Sequence, residues 1–306
     1  MRWLILGAGA IGGFFGARLL QGGADVTFLV RPRREQQLQR DGLVVHTQDG
    51  ETLRHKVRTA QPGGLDGRYD VVLLACKAYD LESAMDAIAP AVGPGTAIFP
   101  VLNGVRHIDV LKKRFGAPQV LGGITVINAA LMPDGAIQQS PVRINMNYLG
   151  ELDGGTTPRS AAIAGALGAI DAKVVPDISA QMWAKFFGYA CNATITTLTR
   201  SRAGAIARSG AGVAFVSSVI DECARVCAAE GFPVAEAMPG LIRGLYQPAS
   251  TYGPSILVDM EEGRPTEGEH TIGDLVQRAG RRGVAAPILT AALCNLQAYE
   301  INRTRN

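Results

Sequence analysis

The chain has 306 residues, about two domains at the ~150 residues of a typical one. Its composition, 47% apolar and 19% charged with 6% aromatic, is globular and excludes a disordered chain. No apolar run approaches the ~20 residues that cross a bilayer, and the opening apolar stretch at residues 3–5 runs into a glycine cluster rather than a cleavage site. A net charge of +3 gives no reason to expect nucleic acid as a partner. Five cysteines without CxxC spacing argue against a disulfide framework and a zinc site. The expectation is a cytoplasmic protein with no membrane and no metal.

Short apolar runs alternate with helical patterns through the first half. Strand-like 2–6 precedes helical 10–20, strand-like 25–30 follows, strand-like 70–75 precedes helical 81–88, and strand-like 96–102 precedes helical 105–114. The alternation predicts βαβ units and a doubly wound parallel sheet. From about 120 to 150 the pattern changes to short strand-like runs broken by Asp134-Gly135, which predicts antiparallel strands at the edge of that sheet. A turn-rich stretch at 154–158 leads to helical 159–167 and strand-like 172–175. Beyond it the segments are long, alanine-rich and helically periodic, at 180–198, 212–229, 235–245, 272–282 and 288–301. The fold class is therefore α/β: a doubly wound α/β domain over 1–177 and an all-α domain over 178–306.

The run Gly7-Ala8-Gly9-Ala10-Ile11-Gly12 has the form GxGxxG directly after the first strand and opens the first helix. In that setting Gly7 permits a tight turn, Gly9 lets a pyrophosphate approach the backbone, and Gly12 lets helix and strand pack closely. An NAD enzyme places a carboxylate at the end of the second strand, about 20 residues on. This chain instead has Arg31-Pro32-Arg33-Arg34 there. A guanidinium fork suits the 2′-phosphate of NADP(H), with Arg31 the best placed; the competing reading is a solvated basic loop.

Lysine is scarce, six against twenty-four arginines, so a lysine in an apolar segment is informative. Lys77 closes the strand-like run 71–76 at the carboxyl edge of the sheet, where ligands bind in doubly wound folds. Lys185 lies on a buried helix, where an ammonium can be tuned to give up a proton near neutrality, which makes it a candidate general acid. Tyr189, Asn192 and Thr196 share its helical stripe. The alternative is a snorkelling lysine among ordinary polar neighbours. The four histidines offer a rival acid, but His46 and His55 fall in a surface hairpin, and neither His107 nor His270 has a convincing aspartate partner.

The chain resembles the ketopantoate reductase (2-dehydropantoate 2-reductase) family over essentially its full length. The matching features are Gly7–Gly12, Lys77, Asn103-Gly104, Trp183-Ala184-Lys185-Phe186, Ser255 with Asp259, and Thr266-Glu267 followed by Gly283-Val284-Ala285-Ala286-Pro287. The resemblance implies NADPH-dependent reduction of a 2-keto acid to a 2-hydroxy acid, in pantothenate biosynthesis, in a cleft between a Rossmann-type NADP-binding domain over 1–177 and an all-α, substrate-binding and catalytic domain over 178–306. It implies that Lys185 protonates the carbonyl oxygen and that Glu267 orients cofactor, substrate and lysine. Asn103 would sit between nicotinamide ribose and substrate, Lys77 near the cofactor, and Ser255 on the substrate carboxylate. Asn103-Gly104 as a plain turn, Ser255 as a helix cap and Glu267 as a loop acid are the competing readings.

The family carries asparagines four and eight residues after the helix lysine, and this chain has Tyr189 and Ala193 there. Asn192 is one residue out of register, about 100° around the helix. Tyr189 and Asn192 are thus candidate substrate contacts in a pocket altered from the family pattern. A homodimer through the helical domain is the expected assembly. The alternatives to a keto acid reductase are a non-catalytic NADPH sensor and a related dehydrogenase acting on another carbonyl or an imine.

Overall fold

The computed structural model describes residues 1–304 apart from residue 66 and residues 142–145. It forms two compact units, one of residues 1–102 with 107–179, the other of residues 103–106 with 180 onward.

In chain order the first unit contains β1 (Arg2–Leu6), α1 (Ala10–Gln21), β2 (Asp25–Leu29), α2 (Pro32–Asp41), β3 (Leu43–His46), β4 (Thr52–His55), β5 (Arg58–Ala60), β6 (Val71–Leu74), α3 (Leu81–Ile88), β7 (Ala97–Pro100) and α4 (Arg106–Phe115), whose first residue is counted with the other unit. It continues through β8 (Leu121–Thr125), β9 (Asn128–Leu131), β10 (Ile137–Ser140), β11 (Asn147–Glu151), α5 (Pro158–Ala166) and β12 (Lys173–Val174). The main sheet is all parallel in the order β5-β2-β1-β6-β7. This is the doubly wound arrangement expected from the βαβ alternation. The period-2 pattern of the strands sorts its core: Trp3, Ile5, Phe28 and Phe99 pack on one face with Phe14 and Phe15 of α1. Leu4, Val72, Leu74 and Ile98 pack on the other with Leu81, Met85 and Ile88 of α3. Strand order reverses between β1 and β6, so the crevice outside their carboxyl ends is where such sheets bind ligands.

The antiparallel strands form two further sheets instead of extending the edge of the main one. β9 and β10 pair antiparallel and join the β3–β4 hairpin, while β8, β11 and β12 form the other sheet. A single bridge between Ile98 and Val120 links β7 to the residue before β8. Alternation of side chains shows that a segment pairs; which strand it pairs with is a long-range matter of packing. α5 and β12 belong to this unit.

The second unit is helical: α6 (Ile178–Thr199, its first two residues counted with the first unit), α7 (Ala203–Arg208), α8 (Gly212–Ala229), α9 (Ala237–Leu245), α10 (Ser255–Glu261), α11 (Asp274–Arg281) and α12 (Pro287–Arg303). α8, α11 and α12 pack on one another, and Val219, Ile220 and Val226 of α8, Leu275 of α11, and Leu289 and Leu296 of α12 are buried. Ahead of α11 the helix opens into a π turn, Glu269–Gly273, an irregularity often found beside functional sites. Among the described residues no helix is long and apolar enough to cross a membrane.

Candidate active site

At the carboxyl edge of the parallel sheet, Gly7 adopts φ +89°, a left-handed conformation that L side chains avoid, and its amide donates to the Leu29 carbonyl (3.0 Å). A Cβ at Gly12 would lie 2.1 Å from the Gly7 carbonyl oxygen, so only glycine lets α1 sit this close to the turn. A Cβ at Gly9 would meet nothing within 4 Å, which leaves that side of the loop open. Gly9 is the N-cap of α1, no side chain caps the helix, and its first turn holds no acidic residue. The first-turn amides and the positive end of the dipole therefore face the open side, where a pyrophosphate fits.

Arg31 is the N-cap residue of α2, just past β2, with its side chain 78% exposed and ion-paired to Asp80 at 2.8 Å. Arg33 is exposed as well. Arg34 behaves differently: its Nε donates to the Ala8 carbonyl (2.9 Å) and a terminal nitrogen to the Gly135 carbonyl (2.9 Å), clamping the glycine loop to the β9–β10 turn. Burial lowers its pKa. Lys77 follows β6 at the same sheet edge, half-buried, and Ala75, two residues earlier, lies against the Gly12 position. The structure thus brings Gly7, Ala8, Gly9, Ala10, Ile11, Gly12, Arg31 and Lys77 to one edge of one sheet.

In the helical unit α6 carries Lys185. Two residues earlier Trp183 stacks on Phe232 (5.0 Å between centroids, planes 12° apart), and the Arg278 guanidinium covers its ring at 5.3 Å. This packing fixes the rotation of the helix. Lys185 Nζ donates to Asn103 Oδ1 (3.5 Å), and Asn103 Nδ2 donates to Glu267 Oε2 (3.4 Å). Burial lowers the Lys185 pKa from 10.5 to about 8, against the opposing attraction of Glu267. An ammonium poised there can both hold and release a proton in the physiological range. Gly104, at φ +81°, turns the chain beside His270 and Thr271 so that Asn103 can face the lysine.

Tyr189, one turn beyond Lys185, has its hydroxyl oxygen buried beside Thr271 with no hydrogen bond of good geometry among the described residues. Burial and the neighbouring Glu267 push its pKa well up, so it stays a phenol.

Asn192, the other candidate substrate contact on α6, is turned into the helical unit. It is 5% exposed, its amide donates to the Gly188 carbonyl (2.8 Å), and its Oδ1 accepts from the Tyr246 hydroxyl (2.9 Å). The stripe of α6 that reaches solvent runs through Gln181, Lys185 and Tyr189 and closes before Asn192. Thr196 is likewise spent, on the Asn192 carbonyl (2.7 Å).

Ser255 is exposed at the first position of α10; Pro254 is the N-cap, so the serine hydroxyl is not used as a cap. The neighbouring Asp259 is buried and holds Arg264 (2.8 Å). His270, the histidine closest in sequence to Glu267, has its pKa lowered to about 4 by burial and by Arg106. It is neutral near pH 7 and carries no proton for acid catalysis. Sequence reasoning missed the clamp of Arg34 and the hydrogen bonds from Thr266 to Glu300 on α12. No local spacing signals either contact.

The profile described as "Ketopantoate reductase PanE/ApbA" matches residues 3–153, and its C-terminal counterpart matches residues 177–300. The chain is 36% identical to the Bacillus subtilis strain 168 protein described as "Uncharacterized oxidoreductase YkpB", across 99% of this chain and 100% of that one. It superposes on the crystal structure of 2-dehydropantoate 2-reductase from Geobacter metallireducens GS-15 with a TM-score of 0.87 at 26% identity, covering 97% of this chain and 99% of that one. It shares its fold with a D-mandelate dehydrogenase in ternary complex with NADH and anilino(oxo)acetate (TM-score 0.87, 22% identity, 99% of this chain and 100% of that one). With profiles matched on both halves and a relative aligned end to end, the chain belongs to the ketopantoate reductase PanE/ApbA family, a family of oxidoreductases.

Proposed function

We propose that the protein reduces a 2-keto acid to a 2-hydroxy acid, using NADPH in preference to NADH. The observation that carries this reading is Lys185: an ammonium held at about 8 by burial, linked through Asn103 to Glu267. A non-catalytic nucleotide sensor has no use for such a group. A bound reduced nicotinamide would supply hydride to the carbonyl carbon. Lys185 would give its proton to the carbonyl oxygen, Asn103 and Glu267 would hold the ammonium in place, and Ser255 would donate to the substrate carboxylate. Gly7 to Gly12 would take the pyrophosphate and Lys77 would lie near the cofactor at the same sheet edge.

The keto acid is read from Tyr189 and Ala193. Where the family pattern has two amides, this helix carries a phenol ring next to Lys185 and, one turn on, a fully buried methyl. A hydroxyl on the substrate would lose its partners there, at a cost of about 1–3 kcal/mol. We therefore expect ketopantoate, which bears such a hydroxyl, to be turned over more slowly than a keto acid with an apolar or aromatic side chain. Oxidation of NADPH followed by absorbance over a panel of 2-keto acids tests the whole reading. Turnover of none would sink the reductase, and a tenfold or greater preference for ketopantoate would overturn the pocket argument.

Cofactor choice has its own test. Arg31 stands at the end of β2, where a charge-assisted contact to a 2′-phosphate is worth roughly 1.5–3 kcal/mol, about ten- to a hundredfold in affinity. Fluorescence titration should show NADPH binding tighter than NADH by that factor and Arg31→Ala narrowing the gap. Equal affinities in the unmodified protein would refute the preference.

A further inference from the structure

Thr266 and Glu267 lie in a non-helical strap between α10 and the π turn, and the strap is held down by α12. The Tyr299 hydroxyl donates to the Arg264 carbonyl (2.8 Å). Two residues earlier on α12, the Gln297 amide donates to Glu269 Oε1 (2.6 Å). Between these two points, Glu300 Oε1 accepts from both the backbone amide (2.7 Å) and the hydroxyl (2.8 Å) of Thr266. Its other oxygen takes Arg303 through two nitrogens, at 3.0 and 2.9 Å. Burial alone would raise the Glu300 carboxyl, but the Thr266 and Arg303 donors outweigh it and hold it below its usual range.

From this geometry we infer that Glu300 is a positioning residue for Glu267: by fixing the peptide and side chain of Thr266 it sets the direction in which the next side chain points. Thr266 and Glu267 are both buried, at 8% and 5% exposure, so solvent does not substitute for the missing acceptor. Two short bonds to one oxygen remove the freedom of Thr266 to rotate. Glu267 is then presented to Asn103 and Lys185 in a single orientation, its backbone carbonyl being held in turn by the Thr271 amide (3.1 Å) and hydroxyl (2.8 Å). Elsewhere on α12 the Tyr299 and Gln297 hydrogen bonds reach Arg264 and Glu269, and Leu296 lies against Gly268; the Glu300 bonds are the ones that hold Thr266, the residue before Glu267.

The assignment rests on the proposed role of Lys185 and Glu267, and its test separates the two. Glu267 is the charged neighbour that opposes the lowering of the Lys185 pKa; among the described residues, Arg303 and Tyr299 are the charged and titratable groups that act on or feel Glu300. The pH profile of kcat for keto acid reduction is measured for the full-length protein and for Glu267→Gln, Glu300→Ala, Glu300→Gln, Thr266→Val and the double variant Glu267→Gln with Glu300→Ala. Glu267→Gln should move the alkaline limb down by about one pH unit. Glu300→Ala should move it the same way by about half a unit or more, with kcat near pH 7.5 reduced about three- to tenfold, and the double variant should move it no further than Glu267→Gln does. Glu300→Gln keeps an acceptor for Thr266 and should return kcat to within about threefold. Thr266→Val, which keeps the backbone bond and loses the other, should show a smaller shift in the same direction and serves if Glu300→Ala does not fold. Lost activity with an unmoved limb in the Glu300 and Thr266 variants would make Glu300 merely structural and overturn the assignment. A limb unmoved by Glu267→Gln itself would overturn the Lys185–Glu267 reading instead.

Discussion

Lys185→Ala is expected to lower kcat by roughly 10²–10⁴, the range for losing a general acid, while changing NADPH affinity little. The ammonium is linked through Asn103 to Glu267, and the phenol of the neighbouring Tyr189 is driven away from ionisation by burial. Water could deliver the proton in its place, but without the fixed geometry that makes the transfer fast. The helix should survive the change, because alanine is the best helix former and Trp183, stacked on Phe232, holds this turn independently. Steady-state kinetics with the best keto acid, beside a fluorescence titration of NADPH, gives both numbers. A variant retaining more than about a tenth of the turnover would make Lys185 a structural residue.

The second large effect is on pH. Reduction needs Lys185 protonated. With its pKa lowered to about 8, chiefly by burial, kcat for reduction should be level below that pH and fall about tenfold per unit above it. The reverse oxidation of the 2-hydroxy acid needs the neutral amine, so its rate should rise through the same region and level off above it. Had the lysine kept its ordinary 10.5, reduction would be flat to beyond pH 10. Profiles in the two directions should therefore cross near 8, and a flat reduction profile to pH 10 would show that Lys185 is not the acid. His270 offers no substitute explanation for a limb near 8, since burial and Arg106 hold it near 4.

The parts legible in the chain were those set by neighbours in sequence. A left-handed turn at Gly7 and a helix starting after Gly9 are local events, so the glycine motif could be assigned residue by residue. Strand and helix periods gave the α/β class for the same reason. Periodicity failed where elements were short: α7 and α10, of six and seven residues, fall short of two turns and leave no stripe to read. It also failed for the irregular Glu269–Gly273 turn, whose extra residue breaks the 3.6 spacing.

Asn192 shows the limit most plainly. Helical spacing puts it roughly on the face of Lys185, but whether a position on that face meets solvent or another helix depends on Tyr246, 54 residues away. By itself the sequence determined that a glycine turn would present helix amides beside a basic strand end, and that a rare lysine would sit on a largely apolar helix. Only the tertiary structure decided that this lysine meets an asparagine 82 residues away, that the asparagine meets a glutamate 164 residues away, and that a carboxylate on the last helix anchors the strap that carries it. The physical reason is that backbone conformation is chosen by adjacent residues, whereas burial, hydrogen-bond partners and the pKa of an ammonium are chosen by whatever the folded chain brings within a few ångströms of it.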